Sequence, residues 1–302
     1  MVGHQRELCI GTIGEFSRGK NVTIDLIFIT YNRLEYTRLS LASVLADSAE
    51  EFSLTIWDNG STDGTKEYLA SVQDPRIVRK VLSPQNVYLH GAANDMFFKS
   101  SADLVGIIPN DFLVTPGWTR PLAKAHADVP EFGMIGCWHF FPDDFDYERA
   151  KHKIQTFGQH RILRHPWTGG GAGLVKLKAI RECGPPESSA TTQYWTRMAL
   201  RGYINGFYYP LIYVEHMDDP KSKHSHLKDE ASYQAAKAVT ANINSPGQET
   251  LAGRWCWRQE VLNNLLDDPW DAKYYIGWRS KLRRIKKRAT GLFSSSHSCK
   301  LR

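Results

Sequence analysis

From residue 22 to residue 108, short apolar runs alternate with amphipathic stretches, and three of these runs stop in clusters of polar or turn-forming residues. Val22 to Ile29 ends in Thr30-Tyr31-Asn32-Arg33, and about 30 residues later Phe52 to Trp57 ends in Asp58-Asn59-Gly60-Ser61-Thr62-Asp63-Gly64-Thr65. Leu34 to Ala46 carries apolar residues at helical spacing. Lys66 to Val72 reads as a helix, Ile77 to Leu82 as a strand, Ala92 to Ser100 as a helix, and Asp103 to Ile108 as a strand ending in Pro109-Asn110-Asp111. This alternation predicts an α/β fold: a mostly parallel sheet with right-handed crossovers, flanked by helices. In such an open sheet the carboxyl ends of the strands share one edge, where ligands bind.

Past Trp118 the pattern loosens. Leu122 to Ala127 reads as a helix and Phe132 to Cys137 as a strand; Asp143 to His165, rich in charge and histidine, reads as a loop-dominated excursion. Leu174-Val175 is a short apolar segment before a helix from Lys176 to Cys183, and Leu211 to Val214 reads as a further strand. Residues 1–20 lack periodicity and read as a lead-in.

A chain of 302 residues with 42% hydrophobic content can bury a large core. No window is apolar enough to span a bilayer, and the first residues lack a signal-peptide layout, so a cytoplasmic protein is expected. Five scattered cysteines without a C-x-x-C pair favour reduced thiols. The net charge of +6 hides an asymmetry: Lys273 to Arg302 holds ten Lys or Arg and no acid, leaving −4 for residues 1–272. The basicity belongs to a tail, and a nucleic-acid footprint on the main domain is not expected.

An isolated Asp before Gly or Asn usually caps its own turn. Asp58 and Asp111 acquire more meaning because both stand at strand ends beside Thr30 and Asn32. Acids among neutral acceptors suit the N–H groups of a base and a hard cation on a diphosphate.

In order and spacing, Thr30-Tyr31-Asn32-Arg33, Asp58 to Thr65, Asn86 with Gly91 and Asn94, and Asn110-Asp111 with Pro116-Gly117-Trp118 resemble the family 2 glycosyltransferases of the GT-A fold, over roughly residues 21–215. The resemblance implies a GT-A-like (Rossmann-like) domain, a nucleoside diphosphate sugar donor, a glycan or lipid-linked acceptor, and Mn²⁺ or Mg²⁺. It implies that Thr30 and Asn32 line the nucleotide pocket, that Asp58 bonds the base, and that Asn94 approaches the donor sugar or diphosphate. Arg33, Asn59 and Asn110 stand inside the matching motifs and join the donor-binding set. Asp111 matches the last acid of the D-x-D metal motif, although here Asn110 leaves a single acid.

A second departure concerns the proton acceptor that an inverting displacement needs. Relatives carry E-D-x-D upstream of an Arg and a Gly; Arg197 and Gly202 fit, but the acids are replaced by Ala190-Thr191-Thr192-Gln193. Asp218 and Glu187 are the equal candidates for the base, with an unidentified residue as the alternative.

His216 follows the apolar run Leu211 to Val214 and is the candidate extra metal ligand; a solvated loop is the competing reading, favoured for His224 and His226. Thr168-Gly169-Gly170-Gly171-Ala172-Gly173 lacks the Lys-Ser/Thr of a phosphate loop. In the family a glycine-rich turn here shapes the acceptor side, which makes Trp167, Gly169 and Gly170 acceptor-binding candidates, with a core role the rival for Trp167.

Residues 216–302 read as a largely helical extension. In it Tyr275, Trp278, Leu282, Ile285, Ala289 and Leu292 form one helical stripe amid arginines and lysines, an interfacial helix over about 273–293. Contact with an anionic membrane surface is one expectation, and packing on the catalytic domain the other. Two rival functions remain: a non-catalytic binding module, and a sugar nucleotidyltransferase, which the loop Thr30 to Arg33 does not suit.

Overall fold

The computed structural model of the chain describes residues 22–169, 171–187, 191–239, 248–283 and 285. The expected alternation is present. It runs β1 (Ile24–Thr30), α1 (Leu34–Leu45), β2 (Ser53–Asp58), α2 (Thr65–Ser71), β3 (Ile77–Leu82), α3 (Tyr88–Lys99) and β4 (Leu104–Pro109). After the short β5 (Phe112–Leu113) come α4 (Thr119–Asp128), β6 (Phe132–Gly136), α5 (Tyr147–Ala150), β7 (Ile154–Phe157), β8 (His160–Arg164), β9 (Gly173–Lys176), α6 (Leu177–Cys183), α7 (Thr191–Leu200) and β10 (Ile204–Tyr209). β11 (Glu215–His216), α8 (Glu230–Val239) and α9 (Leu251–Asp267) complete the set.

Nine strands form one sheet in the order β3-β2-β1-β4-β9-β6-β10-β8-β7. β1, β2, β3 and β4 are parallel, β6 is parallel to β10, and β9 runs antiparallel between β4 and β6. β1, β2 and β4 are buried on both faces, which is why they read as continuous apolar runs instead of alternating ones, whereas β3 is the more exposed edge strand. Ile27 and Ile29 face one core with α3, α6, α7 and α9; Leu26 and Phe28 face the other with α1, α2 and α4. Each fully buried Leu, Ile or Phe contributes roughly 1.5–3 kcal/mol, so both faces are strongly specified.

Three expectations are corrected. Asp143 to His165 is not loop-dominated: it holds α5, β7 and β8, and β8 pairs antiparallel with β10, a strand the periodicity does not reveal. Its charges mislead because several are held by the fold itself: Arg161 lies over Tyr209, Arg164 over Trp270, and Lys153 is buried. Leu211 to Val214 is not a strand; Tyr213 makes one bridge to Trp138, and the pairing segment is Glu215–His216. Near the end, a 3-10 turn covers Ala272–Tyr275 and residues 277–283 are helical, so the expected helix starts later; Arg284 and residues 286–302 lie outside the described residues.

Candidate active site

Chain order runs outward from β1 through β2 to β3 and then returns to β4 on the opposite side of β1. The carboxyl ends of β1 and β4 therefore flank a topological switch point, where an open sheet leaves a crevice. Thr30 to Arg33 follow one strand and Asn110-Asp111 the other. The cleft along this edge encloses about 890 Å³.

Asn110 ties the two strand ends together. Its Nδ2 donates to Thr30 Oγ1 at 2.9 Å, to Asn32 O at 3.0 Å and to Thr37 Oγ1 at 3.0 Å. Asn32 and Arg33 both adopt left-handed backbone, φ 53 and φ 60, which costs roughly 1–2 kcal/mol at a residue such as Arg33. The conformation is over-determined: Asn32 N–H donates to Ser61 Oγ, Thr62 N–H to Asn32 Oδ1, and Leu34 N–H to Asp63 Oδ2.

This backbone aims Arg33 across the switch point. Nη1 donates to Asp218 Oδ2 at 2.5 Å, while Nη2 donates to Asn110 Oδ1 at 3.0 Å and Asp111 Oδ2 at 3.1 Å. Burial opposes the charge of the guanidinium, but Asp218 and Asp111 outweigh it and hold its pKa above the ordinary value. For Asp111, burial pushes the carboxyl up, yet Arg33 and His216 prevail and keep it well below the usual carboxylate range.

β11 brings the second half of the cluster. His216 pairs with Phe112 and Glu215 with Leu113, and Met217 N–H donates to Asp111 O at 2.8 Å. His216 stacks on Phe112 with ring centroids 4.7 Å apart, and its Nε2 lies 3.6 Å from Asp111 Oδ2. The loop that follows is pinned to α1 by the Tyr36 hydroxyl, which donates to His224 O and accepts from His226 N–H. One ligand atom each from Asp111, His216 and Asp218 lie within 4.8 Å of one another. Two carboxylates and an imidazole form a donor set that accepts Mn²⁺ or Mg²⁺. Asp111 Oδ1, buried and without a hydrogen-bond partner, is an acceptor free to complete such a site.

Asp58 caps its own turn and keeps its other oxygen unpartnered. Its Oδ2 accepts the N–H groups of Gly60 and Ser61 at 3.0 Å, while Oδ1 is buried with no partner. Asn59 lines the cleft and accepts from Trp57 Nε1 and Val87 N–H. Asn94 Nδ2 donates to Pro186 O at 2.8 Å, tying α3 to the segment after α6. Glu187, next in the chain, is exposed and does not line the cleft, whereas Asp218 does.

On the opposite side Trp167 lines the cleft, although it is also 95% buried in the core. Gly169 has φ 78, and a Cβ there would meet His139 Cε1 at 2.9 Å, so both conformation and space demand glycine. Gly170 lies outside the described residues. His224 bonds Glu215 at 2.9 Å, and the His226 ring packs on Tyr36 at 4.6 Å, structural roles consistent with the loop reading.

Two cleft residues escape the sequence reading. His139 follows β6, whose carboxyl end shares the site's edge, and its pKa is pushed down to about 3 by burial, with His216 and Arg258 adding to the effect. The strand-end logic applied to Asp58 and Asp111 finds it. Arg258 of α9 pairs with Asp219 and Asp144 while its Nη1 remains buried without a partner. No local signal marks it.

Residues 25–179, more than half of the 302, match the family model described as Glycosyl transferase family 2. The chain belongs to that family. Among curated proteins, validoxylamine A glucosyltransferase of Streptomyces hygroscopicus subsp. jinggangensis (strain 5008) is 22% identical over 152 residues, covering 48% of this chain and 36% of the relative. The enzyme of the same description from subsp. limoneus is also 22% identical over 152 residues, 34% of its length. The chain thus spans about a third of the length of the curated relatives it matches.

Among solved structures, the mannosyltransferase PcManGT from Pyrobaculum calidifontis, in complex with GDP-Man and Mn²⁺, superposes with a TM-score of 0.54 at 19% identity, over 92% of this chain and 82% of that one. GalNAc-T7 with UDP, GalNAc and Mn²⁺ reaches 0.50 at 14% identity, over 65% and 44%. The family-2 chain therefore has the GT-A-like fold that its motifs imply.

Proposed function

We propose that this family member transfers a glycosyl group from a nucleoside diphosphate sugar to a glycan or lipid-linked acceptor, with Mn²⁺ or Mg²⁺ held by Asp111, His216 and Asp218. The observation that carries the reading is the convergence of those three side chains at the switch point, from segments more than 100 residues apart. PcManGT and GalNAc-T7, similar in fold, were both solved with Mn²⁺ and a nucleotide.

In this reading Asp58 Oδ1 accepts from the base, Thr30, Asn32 and Asn59 shape the nucleotide wall, and Asn94 and Asn110 order the sugar-diphosphate side. A bound cation would act as a Lewis acid for the negative charge that grows on the departing diphosphate. Trp167 and the Gly169-Gly170 turn would form the acceptor side. Of the two base candidates Asp218 lines the cleft and Glu187 is exposed; a carboxylate that coordinates the cation does not also accept the acceptor's proton, so for Asp218 the two roles are alternatives.

Release of nucleoside diphosphate from a panel of nucleotide sugars, with Mn²⁺ or with EDTA, tests the whole. Asp111→Asn is expected to lower turnover about 100-fold or more with little change in thermal midpoint. Undiminished turnover would overturn the assignment. Full activity in Asp218→Asn or Glu187→Gln removes that residue as the base, and Mn²⁺ binding by Asp218→Asn tells its two roles apart: lost binding marks a ligand, retained binding with lost turnover marks the base.

A role at the cytoplasmic face of a membrane, in polysaccharide or envelope glycan synthesis, is supported by the exposed Trp278, Leu282 and Ile285 beside Arg279 and Lys281. No helix among the described residues is long and apolar enough to cross a membrane. Co-sedimentation with vesicles of anionic lipid is expected to fall on deletion of residues 273–302. Equal binding would remove the idea.

A further inference from the structure

Arg33 competes for the oxygens that would hold the cation. Its Nη1 takes Asp218 Oδ2 at 2.5 Å and its Nη2 takes Asp111 Oδ2 at 3.1 Å, the same Asp111 oxygen that lies 3.6 Å from His216 Nε2. A guanidinium and a divalent ion cannot both sit against those lone pairs at bonding distance. We propose that Arg33 is a resident counter-cation of the Asp111–Asp218 pair, which a divalent ion must displace, so that this one side chain sets how tightly the protein binds metal.

Three observations support a built device over a chance surface pair. The backbone at Asn32 and Arg33 is left-handed at both residues and is held there by Ser61, Thr62, Asn110 and Asp63 around it. Arg33 is largely buried, 18% exposed at its side chain, and its guanidinium also lies 5.1 Å from the Tyr36 ring centroid. Its attachment is incomplete: Nε is buried without a partner, and Asp111 keeps Oδ1 bare. Asp111 Oδ1 therefore has no protein donor to give up when an ion takes the place of the guanidinium.

The charge balance gives the direction. With Arg33 present, one of the two carboxylate charges is already neutralised, and a dication gains less on arrival. Removing the guanidinium leaves two adjacent acids with no partner cation, which raises affinity for a dication. A lysine at the same place is a point charge without the planar fork that spans Asp218, Asp111 and Asn110 at once, so it blocks less completely.

The inference rests on the metal reading of Asp111, His216 and Asp218, and the test separates the two. Binding of Mn²⁺ to the full chain without nucleotide is followed by the electron paramagnetic resonance signal of the free ion. Arg33→Gln is expected to bind Mn²⁺ at least tenfold tighter than the parent protein, and its thermal midpoint to rise more on adding Mn²⁺. Arg33→Lys, which keeps the charge should the glutamine variant fail to fold, is expected to bind two- to fivefold tighter. Equal or weaker binding in these variants, with the parent still binding Mn²⁺, overturns the role of Arg33 and leaves the metal site standing. No binding by any of the three proteins, including under saturating Mn²⁺, overturns both.

Discussion

Asp58 uses one oxygen on its own turn and leaves the other free for the proposed contact with the base. Oδ2 closes the turn after β2 through Gly60 and Ser61, and Oδ1 faces no protein donor. Asp58→Asn keeps one acceptor for the turn but loses the charge and turns the other position into a donor. Stability is expected to fall by only about 1 kcal/mol, while nucleotide affinity drops by an order of magnitude or more; calorimetric titration alongside a melting curve reads both. The same residue defines what a sequence reveals. Asp58 and Asp111 were legible because each follows a strand and the edge they share is dictated by topology. The pairing of Arg33 with Asp218 was not, since 185 residues separate them and the β5–β11 pairing, with the Tyr36 hydroxyl on the loop that follows, brings the second to the first.

At the scale of elements, α9 is the piece that composition described least. Leu262, Leu265 and Leu266 enter the core beneath the cleft, and Arg149 grips Asp267 from outside. Arg258 binds buried Asp219 and Asp144, and Lys221 also reaches Asp144. Replacing one partner of such a set leaves charges buried without compensation, which costs roughly 3–5 kcal/mol. Arg258→Met is therefore expected to lower stability in urea by about that amount, and adding Asp219→Asn to recover part of it. An unchanged midpoint would mean that the Arg258 ion pairs add nothing to the anchoring of α9. The extension had been legible only as helical, because its polar anchors are long-range ion pairs that leave no periodic trace. The hairpin β7–β8 was lost for a related reason: its arginines lie on aromatic rings of distant segments, so its charge imitated a loop.

For the molecule as a whole, a buried lysine makes stability sensitive to alkaline pH. Lys153 has no exposed surface, donates to Leu265 O near the end of α9, and is pushed by burial from 10.5 down to about 8, with Asp268 and Asp267 opposing the shift. Below pH 8 the folded and unfolded chains both carry the proton and the burial penalty is fully present. Between about 8 and 10.5 the folded chain loses its proton first, so the penalty fades as pH rises. Relative to Lys153→Met, the parent protein is expected to gain up to ~3 kcal/mol across that window. Melting both proteins at pH 7.5 and pH 10 reads the change, and a constant difference would exclude it.

The pairing of β11 with β5 has a consequence for biosynthesis. During translation the ribosome delivers Arg33 and Asp111 long before His216 and Asp218, so a nascent chain that stops short of residue 215 can build the sheet edge but not the three-ligand cluster. On the metal reading, the capacity to hold the ion arises only once synthesis has passed residue 218.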